Sequence, residues 1–202
     1  MKPAALIDFP TNNLPILLIQ GQNGTPNVQV AGTTDGKATN YTMKFQQDSV
    51  QITGTYAGEP INIIGKPAQN GIMQFTSQSG VPVNETLTAV PGGVSMKGNI
   101  EGKSYQAQAL FNSQGVLGGD FFLVTGSIAG SPFSLAFQAV NHTIVKITQE
   151  QQQNGKSKNN TGSLVSNVIL TPKNLGGNGK PIEVNETGTY GNAAVSELMS
   201  FS

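Results

Sequence analysis

The sequence predicts an all-β protein, a single antiparallel β-barrel or two-sheet β-sandwich built mainly from sequential hairpins. Three observations carry that prediction. Apolar and polar residues alternate with a period of two in short segments, as where Phe133, Leu135 and Phe137 interleave with Ser134, Ala136 and Gln138; this is the pattern of a strand with one buried face. A glycine-spaced hairpin motif recurs along the chain. The 25 glycines and 11 prolines in 202 residues punctuate short segments, none with a sustained helical period.

The clearest copy of the motif runs from Gly126 through Gly130 and Pro132 to Phe137, with the reversal placed at Gly130-Ser131-Pro132. Gly54-Thr-Tyr-Ala-Gly58, followed by Pro60, Ile61 and Ile63, keeps the glycines, the proline and the alternation. Gly98 to Ala109 keeps the glycines, whereas Gly32-Gly36 and Gly188-Gly191 are looser copies. Their unequal spacing argues against a solenoid or propeller and for a meander or Greek key. Val30, Ile52, Met96 and Val124 each lie two residues before the first glycine, which therefore shares the inner face. Such a glycine either leaves a floor open for a ligand or marks where a sheet bends and a neighbouring strand comes close; the second is the commoner use.

Taken in order, the chain starts with an apolar N-terminal arm, residues 1–20 of a single domain spanning 1–202. Its pieces Ala4-Ala5-Leu6-Ile7 and Ile16-Leu17-Leu18-Ile19 are continuously apolar, which implies burial on both faces. They read as core strand, or as an arm added to a neighbour's sheet edge. Asp8 and Pro10 interrupt the opening apolar segment, so it does not read as a secretory signal. Short strands follow at 27–30, 41–45, 50–56, 61–64, 71–76, 84–90, 94–100, 105–111, 121–128, 133–140, 143–148 and 164–170, each bounded by turn residues. The polar run 150–160 has the composition of a loop, and Thr171–Pro181 reads as a Gly- and Asn-rich loop. Residues 193–199 read as a short helix or a closing strand. The expected inner face comprises Ile52, Ile61, Ile63, Met96, Ile100, Val124, Ile128, Phe133, Leu135 and Phe137.

Composition narrows the function classes. Charged residues make up 11% of the chain, against about 25% in average soluble proteins. Asn, Gln, Ser, Thr and Gly must cover the surface, and with a formal net charge of zero, copies repel one another little. All 11 basic residues are lysine, so the bidentate fork that reads phosphate or guanine is absent and no nucleic-acid partner is expected. The chain has no cysteine and therefore no disulfide, thiolate nucleophile or zinc–sulfur site. No apolar run approaches the roughly 20 residues of a membrane-spanning helix. No catalytic motif, metal-ligand cluster or cofactor fingerprint appears. The single histidine, His142, sits in a turn without an orienting partner, and Asp8, Asp48, Glu101 and Asp120 are scattered singly. Asn-x-Thr acceptors at Asn23, Asn40, Asn84, Asn141, Asn159 and Asn185 are frequent in so Asn- and Thr-rich a chain.

Tyr41, Tyr56, Tyr105 and Tyr190 all fall within copies of the motif. Facing inward, they would need hydroxyl partners, supplied by the core itself or by a ligand. The Gly-Thr-Tyr pieces resemble, over a few residues, those of avidin-like and other calycin barrels. Those families lean on tryptophans that this chain lacks, and no family assignment follows. The leading functional expectation is a non-enzymatic structural protein of an ordered assembly, such as a virion component or surface filament. It would be homo-oligomeric or bound to other subunits, with the arm at Ile16–Ile19 pairing with a neighbour. The alternative is a carrier of a small apolar ligand, with the four tyrosines facing its cavity. An enzyme using the scattered Asp, Glu and Tyr residues has less support.

Overall fold

A computed structural model describes residues 1–13, 27–111, 122–141, 143–148, 152–153, 156–157 and 164–202. Ile16, Leu17, Leu18, Ile19 and His142 lie outside these residues. The hairpins close into one antiparallel barrel of 14 strands, resolving the choice between barrel and sandwich. The first half contributes β1 (Val28–Thr34), β2 (Lys37–Gln46), β3 (Ser49–Tyr56), β4 (Glu59–Pro67), β5 (Ile72–Gly80), β6 (Val83–Val90) and β7 (Gly93–Ile100). The second contributes β8 (Lys103–Phe111), β9 (Phe122–Ile128), β10 (Ser131–Val140), β11 (Thr143–Thr148), β14 (Ser166–Gly177), β15 (Lys180–Tyr190) and β16 (Ala193–Phe201). A two-residue pair, β12 (Gln152–Gln153) with β13 (Lys156–Ser157), lies outside the barrel between β11 and β14. Each barrel strand pairs with its neighbours in sequence order, and β16 closes the cylinder on β1 with Val28 opposite Phe201 and Thr34 opposite Val195. Residues 193–199 are thus the closing strand, not a helix.

The tight turns fix the register. Ala129 and Gly130 both adopt positive φ, +48° and +81°, the backbone of a two-residue hairpin turn matched to strand twist. The reversal therefore falls one residue before the expected step, because Ser131 and Pro132 are already paired with Ile128 and Ser127. Thr171–Pro181 also departs from expectation. Instead of a loop, β14 and β15 continue to a turn at Asn178-Gly179, with a bulge between Pro172 and Asn174. Cross-strand pairing there outweighs the weak strand preference of Gly and Asn.

The recurring glycine is a packing device. A Cβ on Gly54, Gly98 or Gly126 would lie only 2.1–2.2 Å from a carbonyl oxygen of the preceding strand, that of Asn40, Asn84 or Gln106. Gly32 and Gly188 meet Ser196 and Asn167 in the same way. The strands coil past one another at these points, and the glycines serve this close approach.

The inner face is the one the alternation predicts. Ile52, Ile61, Ile63, Met96, Ile100, Ile128, Phe133, Leu135 and Phe137 are buried, and the half-buried Val124 packs against them. Many exposed strand positions, such as Gln29, Asn40, Lys44, Gln51, Asn84 and Lys97, are polar, whereas Val140, Ile169, Leu175 and Ile182 are exposed aliphatics. No helix among the described residues is long and apolar enough to cross a membrane.

The N-terminal segment lies inside the barrel. Ala4–Ile7 is not a strand: Pro3–Asp8 forms a 3₁₀ helix, followed by a helical turn at 10–13, and residues 4–13 are all buried. Leu6, Ile7 and Phe9 belong to the same apolar cluster as the inner faces of the strands. In a closed cylinder no strand edge is free inside, so a segment placed there must satisfy its own backbone. It does so through Phe9 N–H to Leu6 O (3.3 Å) and Asn12 N–H to Phe9 O (2.8 Å). The Asn12 amide also donates to Leu6 O at 2.6 Å. Lys2 bonds Asp35 at the turn end of β1 (2.6 Å), whereas Asn27 bonds Ser202 at the opposite end (2.8 Å).

Candidate functional site

Among the described residues, the apolar interior of the barrel carries two polar centres, both built against the N-terminal segment. In the larger, Lys146 of β11 places its ammonium 2.9 Å from Glu186 Oε1 and 2.7 Å from the Tyr190 hydroxyl, both on β15. Tyr190 in turn donates to Glu186 Oε1. The Lys146 and Glu186 side chains are 3% and 1% exposed, and the rings of Phe137 and Tyr190 stand 5.3 and 5.4 Å from the ammonium. Glu197 on β16 is the cross-strand neighbour of Glu186 and accepts from Thr34, whose hydroxyl also bonds Thr39. Asp8 enters from the N-terminal segment, held by the Asn13 amide at 2.5 Å.

Burial dominates the titration of this centre. It pushes the Asp8 carboxyl up to about 7, reinforced by Glu186 and opposed by Lys146, Asn13 and Tyr190. Glu197 is pushed to about 9, again mainly by burial, then by the nearby Asp8. At neutral pH Glu197 is a neutral acid. Asp8 Oδ2 has no hydrogen-bond partner among the described residues.

The second centre joins Thr11 of the N-terminal segment to Glu85 of β6, the hydroxyl donating to Oε2. Burial raises the Glu85 carboxyl to about 7, with the Thr11 bond acting against it. Glu85 Oε1 and Asn12 Oδ1 are without partners among the described residues. Beside them lies a cavity of about 20 Å³ lined by Asn12, Met96, Tyr105, Ala107, Phe122 and Val124. That volume holds about one water.

All four tyrosines are buried, and each is drawn into the packing around the N-terminal segment or the second centre. Tyr56 donates to Ala5 O at 2.6 Å and meets the Phe9 ring edge-on, with centroids 5.3 Å apart. Tyr41 lies 6.2 Å from Tyr56, and Tyr105 lies 6.0 Å from Phe133 beside the small cavity. The partners of Tyr56 and Tyr190 thus come from the chain itself. Burial raises all four phenols, which stay protonated; Tyr56 and Tyr190 act as donors.

Of the acids considered from sequence, only Asp8 reaches an interior centre. Asp48 is exposed, Glu101 is half-buried at a turn and Asp120 lies outside the described residues. Lys146, Glu186, Glu197 and Glu85 were missed. The signal was present, because each sits on the apolar side of an alternating strand. Glu85 lies between Val83 and Leu87, and Glu197 between Val195 and Met199. Among the described residues no group of His, Cys, Asp and Glu could hold a metal ion. The arrangement offers an amine, carboxyls and phenols sealed beneath the strands, able to exchange protons with one another. No protein-family model matches this chain, and no curated protein and no solved structure is significantly similar to it.

Proposed function

We propose that this protein is a non-enzymatic structural subunit that associates with further copies of itself in an ordered assembly, such as a virion or a surface filament. The observation that carries the reading is the β14–β15 hairpin. The pairing of β14 with β11 ends at Leu170–Ile144, so Thr171 to Gly177 run on with one edge unpaired among the described residues. On this extension Leu175 and Ile182 are cross-strand partners, 79% and 45% exposed. An open strand edge flanked by exposed aliphatic side chains is a template for pairing with another chain. Pro172, which has no N–H to donate, and Lys173 limit the registers available and so select among partners. The low, balanced charge adds little repulsion.

The expected arm contact at Ile16–Ile19 lies outside the described residues, and the hairpin offers a second contact besides it. Beside the N-terminal segment, the cavity at Asn12 has room for about one water, which gives a carrier little to work with at that place. The test is solution mass across concentration, for the wild type and for Leu175→Lys. The wild type is expected to grow in mass with concentration. Leu175→Lys should weaken association at least about tenfold, given about 1.5–3 kcal/mol for burying a leucine side chain. A wild type that stays monomeric at every concentration would refute the proposal.

A further inference from the structure

We propose that Lys146 and Glu186 condense within the folded barrel to form an amide cross-link that ties β11 to β15 across β14. The geometry is that of a reactant pair. The lysine Nζ lies 2.9 Å from a carboxyl oxygen, both side chains are almost wholly shielded from water, and the Tyr190 hydroxyl touches both, 2.7 Å from Nζ and hydrogen-bonded to Oε1. Condensation begins with one proton passing from Nζ to Oε1 along their 2.9 Å contact. The products of that transfer are a neutral amine and a neutral carboxylic acid in contact, which are the species required for acyl condensation.

The step balances without any other reactant. The Nζ lone pair attacks Glu186 Cδ, forming the N–C bond, and the carbonyl electrons collect on Oε2. Oε1, protonated from Nζ along their 2.9 Å contact and hydrogen-bonded by Tyr190, takes the second proton released from nitrogen; the Cδ–Oε1 bond breaks, water departs and the carbonyl re-forms on Oε2. Glu197, the cross-strand partner of Glu186, adds a carboxyl to the same centre whose protonated form its burial favours. Held in reach, such a pair gains the large effective concentration of an intramolecular reaction, and the apolar walls keep bulk water from reversing it. Phe137 and Tyr190 form part of that wall. In a chain without cysteine this is a covalent tie available to a β-protein without an oxidant.

The decisive measurement is the intact mass of the denatured chain, which is independent of any association between copies. The wild type is expected to be lighter than its sequence by one water, and proteolysis should leave the segments carrying Lys146 and Glu186 joined. Lys146→Met should restore the full mass, and Tyr190→Phe should give a mixture of cross-linked and open chains. Because the wild-type mass decides the matter alone, a variant that fails to fold leaves the test intact. A wild type of full mass would overturn the proposal. So would a water lost elsewhere, for example at Asp35-Gly36, with the two segments found separate.

Discussion

Replacing Phe9 by alanine is expected to destabilise the barrel by about 3–5 kcal/mol, the range for deleting a fully buried phenylalanine. Phe9 lies in a segment remote in sequence from every strand it meets, yet it is 0% exposed and packs edge-on against Tyr56. The strands around it are locked by ladders on both sides, so they cannot collapse fully onto the space it leaves, and the cavity term is correspondingly large. The loss should appear as a lower urea midpoint with little change in slope. Val165→Ala, at a position 67% exposed, should stay within about 0.5 kcal/mol of wild type. A Phe9→Ala midpoint equal to that of wild type would show that the segment contributes nothing to the core.

Stability is expected to fall as pH rises from acid to alkaline, opposite to the usual behaviour of salt-bridged carboxylates. Asp8, Glu85 and Glu197 have folded-state values raised to about 7, 7 and 9, from 3.8 for Asp8 and 4.5 for the glutamates. Below pH 4 both folded and unfolded chains carry these protons, and the groups favour neither state. Above that the unfolded chain releases its protons while the folded chain still holds them. The stability present below pH 4 is therefore lost progressively through pH 7 for Asp8 and Glu85 and through pH 9 for Glu197. For Glu85 the shift corresponds to roughly 3 kcal/mol. Glu85→Gln keeps an acceptor for Thr11 and removes the titration. It should raise stability at pH 9 by roughly 2–3 kcal/mol and leave pH 4 nearly unchanged. Urea midpoints at the two pH values check this, and a wild type more stable at pH 9 than at pH 4 would contradict it.

The hairpins were legible because their signals are local. Period-two alternation placed Ile52, Met96, Ile128 and Phe137 on the inner face, and Gly-containing turns such as Ala57-Gly58 and Ala129-Gly130 set where several strands reverse. The N-terminal helix was not legible in the same way. Ala4-Ala5-Leu6-Ile7 is too short to show a period, and continuous apolarity fits a doubly buried strand and a helix inside a lumen equally well. Its conformation follows from closure of the barrel, which leaves no strand edge within. Closure itself depends on β1 meeting β16, a pairing between the two ends of the chain that no local pattern encodes. The polar centre is hidden for a related reason. Lys146 and Glu186 are 40 residues apart in sequence, and only the ladders from β11 through β14 to β15 bring them together. The individual anomalies were readable, since a charge at Glu85 or Glu197 interrupts an apolar face; their partners were not.

The central claim is that the N-terminal segment, residues 4–13, is part of the barrel's own core. Amide hydrogen exchange at Phe9 and Asn12 tests it most directly, because both N–H groups are bonded inside that segment, to Leu6 O and Phe9 O. If the segment belongs to the core, these amides exchange only through global unfolding, as slowly as those of Ile52 and Ile128 in the surrounding strands. Exchange at the rate of an exposed peptide at Phe9 and Asn12, with Ile52 and Ile128 still protected, would show an interior open to other occupants and contradict the account.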